Sequence, residues 1–228
     1  MKFLDVECLS ELQRKLNDLE LTDYRVRCQL EAYSCKPAGF DKKLSKSLEQ
    51  KLVEQLEASP RVLEGSPVGS LEDQSARKTL INLICTLNAA HQDYDFSSLQ
   101  LSRLKRVQDV RSLQQHVDSL FELFYRQLGL EFRQFLWENI GQIIRPEECE
   151  VYSYLPDYES DPYSASGALW SFCYFFYHKN MKKILFFSCT LSTRLAEDSE
   201  STESVDEEDF GKESSGLETP FAMFETVI

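Results

Sequence analysis

Leu169-Trp170-Ser171-Phe172-Cys173-Tyr174-Phe175-Phe176-Tyr177 and, after the short His178 to Met181 connection, Lys183-Ile184-Leu185-Phe186-Phe187-Ser188-Cys189 decide the fold. Two runs of β-formers separated by so few residues read as an antiparallel hairpin. Trp170, Phe172, Tyr174 and Phe176 share one face of the first strand, while Ser171, Cys173, Phe175 and Tyr177 share the other. Both faces are aromatic, so the strand belongs at the centre of a sheet covered on both sides. Burying each of these rings contributes roughly 1.5 to 3 kcal/mol, and core packing accounts for most of the run. Tyr and Trp at the ends of such a hairpin also suit protein interfaces, which makes Tyr163 and Trp170 candidate contact residues.

Working outward, Cys149 to Tyr154 is a further strand, joined to the hairpin by an acidic, Pro-containing connection from Pro156 to Gly167. From Tyr24 to Ser34, Tyr24, Val26, Cys28, Leu30 and Ala32 alternate with Arg25, Arg27, Gln29, Glu31 and Tyr33, the period-2 pattern of a half-buried antiparallel strand. The polar face of that strand is unusually basic at its start. Helical spacing marks Leu9, Leu12, Leu16 and Leu19, then Leu44, Leu48, Leu52 and Leu56, with Ser59-Pro60 stopping the second helix. Ser75 is placed to cap a third helix whose Leu80, Leu83, Ile84 and Leu87 face inward. A long stripe from Val110 to Leu128 is interrupted by Gly129 and resumes at Phe132, Phe135, Leu136, Ile140 and Ile143. The expectation is an α+β fold, a single domain over 1–196 with a mostly antiparallel four- to five-stranded sheet flanked by helices. Residues 59–74, with two Pro, two Gly and three Ser, read as a mobile linker inside it, and 197–228 as a disordered acidic tail.

Charge separates the same two parts. The net charge is -13, yet from Glu197 onward there are eleven Asp and Glu against one Lys, so the tail holds ten of those negative charges. Without a basic stripe to displace counterions from phosphates, direct nucleic-acid binding is not expected, and a protein partner is. The seven cysteines are odd in number and scattered through apolar patterns, which suggests structural thiols in a reducing compartment. Asp5 and Glu7 interrupt any secretory signal, and no apolar run approaches the roughly 20 residues of a membrane span. Nucleus and cytoplasm are the expected locations.

Chemistry-bearing motifs are sparse. Asp157, Glu159 and Asp161 alternate as at the start of a calcium loop, but Pro162 stands where that loop needs Gly and Ala168 where it needs a bidentate Glu. No Cys or His pair has zinc spacing, and there is no nucleophile elbow or phosphate-cradling Gly-rich loop. No metal, cofactor or enzymatic activity is expected. Packing alone, however, does not call for Asp157 to Tyr163 beside Tyr152 and Tyr154.

The run Glu150-Val151-Tyr152-Ser153-Tyr154-Leu155-Pro156-Asp157, then Asp161-Pro162-Tyr163, Leu169-Trp170-Ser171-Phe172 and Phe175-Phe176-Tyr177, closely resembles the signature of the Maf-type repressors of RNA polymerase III. Glu31-Ala32-Tyr33-Ser34-Cys35-Lys36 with Asp41-Lys42-Lys43 looks like the family's first box. Ser75-Ala76-Arg77-Lys78-Thr79-Leu80 with Asp93-Tyr94-Asp95-Phe96-Ser97 looks like its middle segment, and Lys182 to Cys189 like its last box. The order is kept from about Met1 to Cys189, and the short linker with Asp41 to Glu49 is most similar to plant-lineage members. Leu155, Glu159, Tyr163, Cys173 and His178 depart from the family's usual residues.

The resemblance implies negative regulation of RNA polymerase III by binding its clamp, which hinders engagement with promoter-bound TFIIIB and its TFIIB-related subunit. It also implies control by nutrient-responsive kinases and by serine/threonine phosphatases. Tyr152, Tyr154, Pro156, Asp157, Asp161, Pro162, Tyr163 and Trp170 are then the candidate partner-binding residues, and Ser45, Ser66 and Ser70 the candidate phosphorylation sites. The acidic tail supports a rival expectation, a chaperone or adaptor for basic proteins.

Overall fold

A computed structural model describes residues 1–36, 40–58, 65–156, 161–163 and 167–194. In chain order the elements are β1 (Lys2–Leu4), α1 (Glu7–Asn17), β2 (Tyr24–Ser34), α2 (Phe40–Ala58), α3 (Gln74–Ala90), β3 (Leu104–Val107), α4 (Val110–Leu120), α5 (Glu122–Leu128), α6 (Glu131–Ile144), β4 (Glu150–Tyr154), β5 (Ala168–His178) and β6 (Lys183–Thr193). Short 3-10 turns at Leu101–Arg103 and Pro146–Glu148 lead into β3 and β4.

The strands form one antiparallel sheet in the order β1-β2-β6-β5-β4-β3. The aromatic hairpin is central, as its two apolar faces require, and β2 pairs with β6 along its whole length, from Tyr24 opposite Thr193 to Ser34 opposite Lys183. Six strands replace the expected four to five because β1 and β3 were too short, and β3 too charged at Lys105 and Arg106, to carry a period-2 signal. At the β2 edge, β1 pairs only with 32–34. Side chains of α1 take over beyond it: Asn17 bonds both the Cys28 N–H and its carbonyl, and Gln13 accepts from the Leu30 N–H. A strand edge is thus closed by two amides rather than by another strand.

Each face of the sheet carries its own core. On the first, Val26, Leu30, Phe172, Phe176, Leu185 and Phe187 pack beneath α1, α4, α5 and α6, with Phe121 at 4.7 to 6.3 Å from the rings of Phe124, Trp170, Phe172 and Phe187. On the second, Tyr33, Tyr152, Phe175, Tyr177 and Phe186 lie beneath α2 and α3.

Three expectations need correcting. The third helix begins at Gln74 behind Asp73, so Ser75 is inside its first turn, where its carbonyl accepts from the Thr79 hydroxyl. The expected mobile linker is described from Gly65 onward, and there it is folded: Val68 and Leu71 are buried in the second core and a turn closes between the Gly69 N–H and the Ser66 carbonyl. Val68 and Leu71, with Arg77 on the Leu71 and Glu72 carbonyls, anchor a stretch that composition marked as loose. Residues 59–64 and the acidic tail lie outside the described residues. Finally, Cys28 and Cys189, directly opposite each other in the β2–β6 register, are joined by a disulfide, leaving Cys8, Cys35, Cys85, Cys149 and Cys173 as thiols.

Candidate functional site

Sequence reasoning placed the contact residues in and beside the β4–β5 connection, and Tyr152, Tyr154 and Tyr163 point inward. β4 lies between β3 and β5 under the second helical layer, so Tyr152 and Tyr154 are buried on one face of a covered strand. The Tyr154 hydroxyl donates to Asp161 Oδ2, whose other oxygen accepts the Tyr163 N–H at 2.9 Å, an Asx-type turn that folds the loop back on the sheet. Tyr163 in turn places its hydroxyl 2.8 Å from His91 Nε2, at the end of α3, and donates to Cys173 Sγ at 3.6 Å. The ring planes of His91 and Tyr163 meet edge to face at 5.2 Å.

Burial sets the protonation of this cluster. Desolvation pushes the Tyr154, Tyr163 and Cys173 pKa values well up, and hydrogen bonding to the Asp161 carboxylate raises Tyr154 further. The same burial lowers His91 below its ordinary value, against a weaker opposite pull from Asp161. The hydroxyls and the thiol stay protonated, with the Tyr163 hydroxyl donating to the Cys173 sulfur, and the imidazole beside Tyr163 stays neutral.

Tyr152, Tyr154, Asp161 and Tyr163, expected as contact residues, are buried at 0 to 5% exposure and leave almost no side-chain surface for a partner. Tyr152 stands apart from the cluster, its hydroxyl on Glu150 at 2.9 Å. Trp170 is on the opposite face of the sheet, half-buried against Phe121 and Phe124. Pro156 and Pro162 are half-buried and present surface, and Asp157 lies outside the described residues. The loop entrance is fixed by Arg103, which donates to the Pro156 carbonyl at 3.0 Å, while its own carbonyl accepts from the Leu155 N–H at 2.7 Å. His91 and Arg103, which no motif singled out, complete the frame.

Of the residues that depart from the family pattern, Glu159 lies outside the described residues and the others have found partners. Cys173 accepts from Tyr163, and Leu155 uses only its backbone. His178 is buried with Nδ1 accepting from the Met181 N–H at 3.4 Å and Nε2 3.1 Å from Glu148, which puts the ring proton of the neutral form on Nε2. Of the candidate phosphorylation sites, Ser70 is exposed, its hydroxyl accepting only from the Glu72 N–H. Ser45 is half-buried on α2, 3.9 Å from Cys85 Sγ. Ser66 turns its hydroxyl inward, and among the described residues that oxygen is the buried side-chain atom without a hydrogen-bond partner. Among the same residues, no group of three or more His, Cys, Asp or Glu is arranged to hold a metal ion.

The class is an α+β fold with a single antiparallel sheet covered on both faces, in which Tyr154, Asp161 and Tyr163 are tied to the end of α3. The chain belongs to the Maf1 regulator family, whose model matches residues 26–188, from the first long strand to the last. It is 36% identical over 197 residues to the repressor of RNA polymerase III transcription maf1 of Schizosaccharomyces pombe, covering 82% of each chain. It is 28% identical over 240 residues to the repressor of RNA polymerase III transcription of Dictyostelium discoideum, covering 86% of each. The crystal structure of citrus MAF1 matches it with a TM-score of 0.66 at 30% identity, over 82% of this chain and 99% of that one.

Proposed function

We propose that this protein represses transcription by RNA polymerase III by binding the polymerase at its clamp and hindering engagement with TFIIIB. The observation that carries this reading is the family match over 26–188, which takes in the second core, most of the first and the whole β4–β5 connection, together with relatives named as repressors of that polymerase. The physical basis is the held frame at 155–156 and 161–163. Pro156 and Pro162 are the contact surface, and the buried Tyr154, Asp161, Tyr163 and His91 hold 161–163 against the sheet, so little ordering entropy is lost there on docking. Phosphorylation by nutrient-responsive kinases, reversed by phosphatases, adds about -1.5 to -2 charge at exposed Ser70 without disturbing the fold, whereas Ser45 and Ser66 become accessible only when α2 or the 65–73 turn opens. The protein acts in the nucleus and is held in the cytoplasm when phosphorylated.

The deciding experiment combines a pull-down with purified RNA polymerase III at physiological salt and transcription of a tRNA gene in vitro. Binding and repression are expected; no binding and unchanged transcript would overturn the proposal. The acidic tail favours a second reading, an adaptor for basic proteins. Truncation after Ala196 separates the two, since the adaptor loses its partner and the repressor keeps the polymerase.

A further inference from the structure

Residues 1–34 form one margin of the sheet. β1, α1 and β2 follow one another in the chain, and the strand order makes β6 the strand through which this margin joins the rest of the sheet. Near the middle of the β2–β6 ladder, Cys28 lies directly opposite Cys189. Cys28 turns its N–H and its carbonyl away from β6, to the Asn17 side chain of α1, so the two cysteines form a non-hydrogen-bonded pair. At such pairs the opposed side chains of an antiparallel ladder come closest. Their sulfurs are joined across 161 residues of chain, while the other five cysteines are thiols. One bridge among seven cysteines is not the dense framework of a fold that depends on disulfides. The ladder itself runs on past the pair in both directions, to Tyr24 and to Ser34, and holds the two strands in register with or without the bond.

We propose that Cys28 and Cys189 are a reversible redox pair, which latches the β1–α1–β2 margin to β6 when oxidised and leaves it free to open when reduced. The sheet makes the bond a latch rather than an ornament. On its outer edge β2 is held by β1 at 32–34 and by the Asn17 and Gln13 amides of α1, so release from β6 lets the margin come away as one unit. A covalent link between positions 28 and 189 forbids that motion and leaves α1 free to lift by itself. Lifting α1 is also the way in: both cysteines are buried in the first core together with Leu9, Leu12 and Leu16 of that helix. The oxidant is a small disulfide such as oxidised glutathione. One cysteine thiolate attacks it, breaking the glutathione S–S bond, forming a mixed disulfide and releasing one glutathione thiolate; the second cysteine thiolate then attacks the protein sulfur of that mixed disulfide and expels the other. The two protons lost by the cysteines go to the two glutathione thiolates, and two electrons pass from the protein to glutathione. Excess reduced glutathione runs the same steps backwards.

The test uses the unsubstituted full chain, equilibrated natively in buffers that run from reduced to oxidised glutathione. After acid quench and denaturation, thiols are blocked with one maleimide, disulfides are reduced and the newly freed thiols are tagged with a second. Peptide mass spectrometry is expected to show Cys28 and Cys189 changing tag together, in a single transition that retraces in the reverse direction, while Cys8, Cys35, Cys85, Cys149 and Cys173 keep the first tag throughout. Amide hydrogen exchange is then compared between the two forms. Oxidation is expected to slow exchange across 24–34 about tenfold or more and to change α1 much less. A pair that stays bonded in every buffer in which the protein is folded is a permanent staple and would overturn the proposal, as would a pair that stays as thiols in every buffer. Bonding of either cysteine to a different residue or to a second copy removes the switch from this pair, and equal exchange of 24–34 in the two forms removes the latch.

Discussion

Asp161 holds two donors at once, the Tyr154 hydroxyl and the Tyr163 N–H, and both are buried. Asp161→Ala leaves them without a partner in a low-dielectric site, at a cost of about 3 kcal/mol, while Tyr154→Phe removes one donor and costs about half as much. Urea unfolding of the three proteins checks this, and a loss under about 1 kcal/mol for Asp161→Ala would show that the loop is held elsewhere. The sequence marked these residues but not their direction. Alternation says that Tyr152 and Tyr154 share a face, whereas what covers that face is α3, 62 to 80 residues earlier in the chain. His91 gives the cluster a pH signature. Its pKa is lowered by burial, so the unfolded chain binds a proton more readily than the folded one around pH 6.5. The resulting contribution is fully present above pH 6.5 and is lost as pH falls through that value toward the lowered folded pKa. His116, also lowered by burial, has the same sign. The melting temperature should therefore drop between pH 7.5 and pH 5.5, and His91→Gln should shrink the drop; a curve identical to that of the unsubstituted protein would remove His91 from the account.

At the scale of elements, long amphipathic patterns were legible and short or polar-anchored pieces were not. The ends of β2 are legible because Tyr24 to Ala32 alternate, and pairing with β6 carries the strand on through buried Tyr33 to Ser34. β1 and β3 have three and four residues, and what makes them strands is a neighbour's open edge, not their own composition. The turn from Gly65 to Asp73 is the converse case. Arg77 donates to the Leu71 and Glu72 carbonyls at 2.8 Å and pairs with Glu49 at 2.7 Å, so one cation ties the turn, α2 and α3 together. Gly129 shows a signal that sequence reports correctly. Its φ of 93° and ψ of 149° separate α5 from α6 in a region closed to residues with a Cβ, and an added Cβ would meet the Glu131 carboxylate. Gly129→Ala is expected to cost about 2 kcal/mol by urea unfolding. A neutral substitution would mean that the α5–α6 corner relaxes freely, and Phe124 and Phe132 would not depend on its angle.

The two faces of the whole molecule differ in how firmly they are held. Four helices close the first core, but on the second, among the described residues, α2 adds Leu48 as its one fully buried side chain, with Leu44, Leu52 and Leu56 partly covered and Glu49 paired with Arg77. Local opening follows buried contact, so α2 should open well before the sheet does. Ser45 lies on the inner side of that helix near Cys85, where a negative charge has little solvation. Ser45→Asp, standing in for phosphorylation, is expected to speed amide hydrogen exchange across α2 about tenfold or more, which corresponds to about 1.4 kcal/mol, and to leave β5 and β6 unchanged, with Ser45→Ala as the control. Acceleration of the sheet amides as well would mean that α2 and the central strands open as one unit, while an unchanged α2 would mean that the charge is accommodated without opening. The expected pattern makes the second layer the part of the molecule through which a modification acts: the aromatic hairpin stays closed on its first core while the helix that hides Ser45 comes away from the other face.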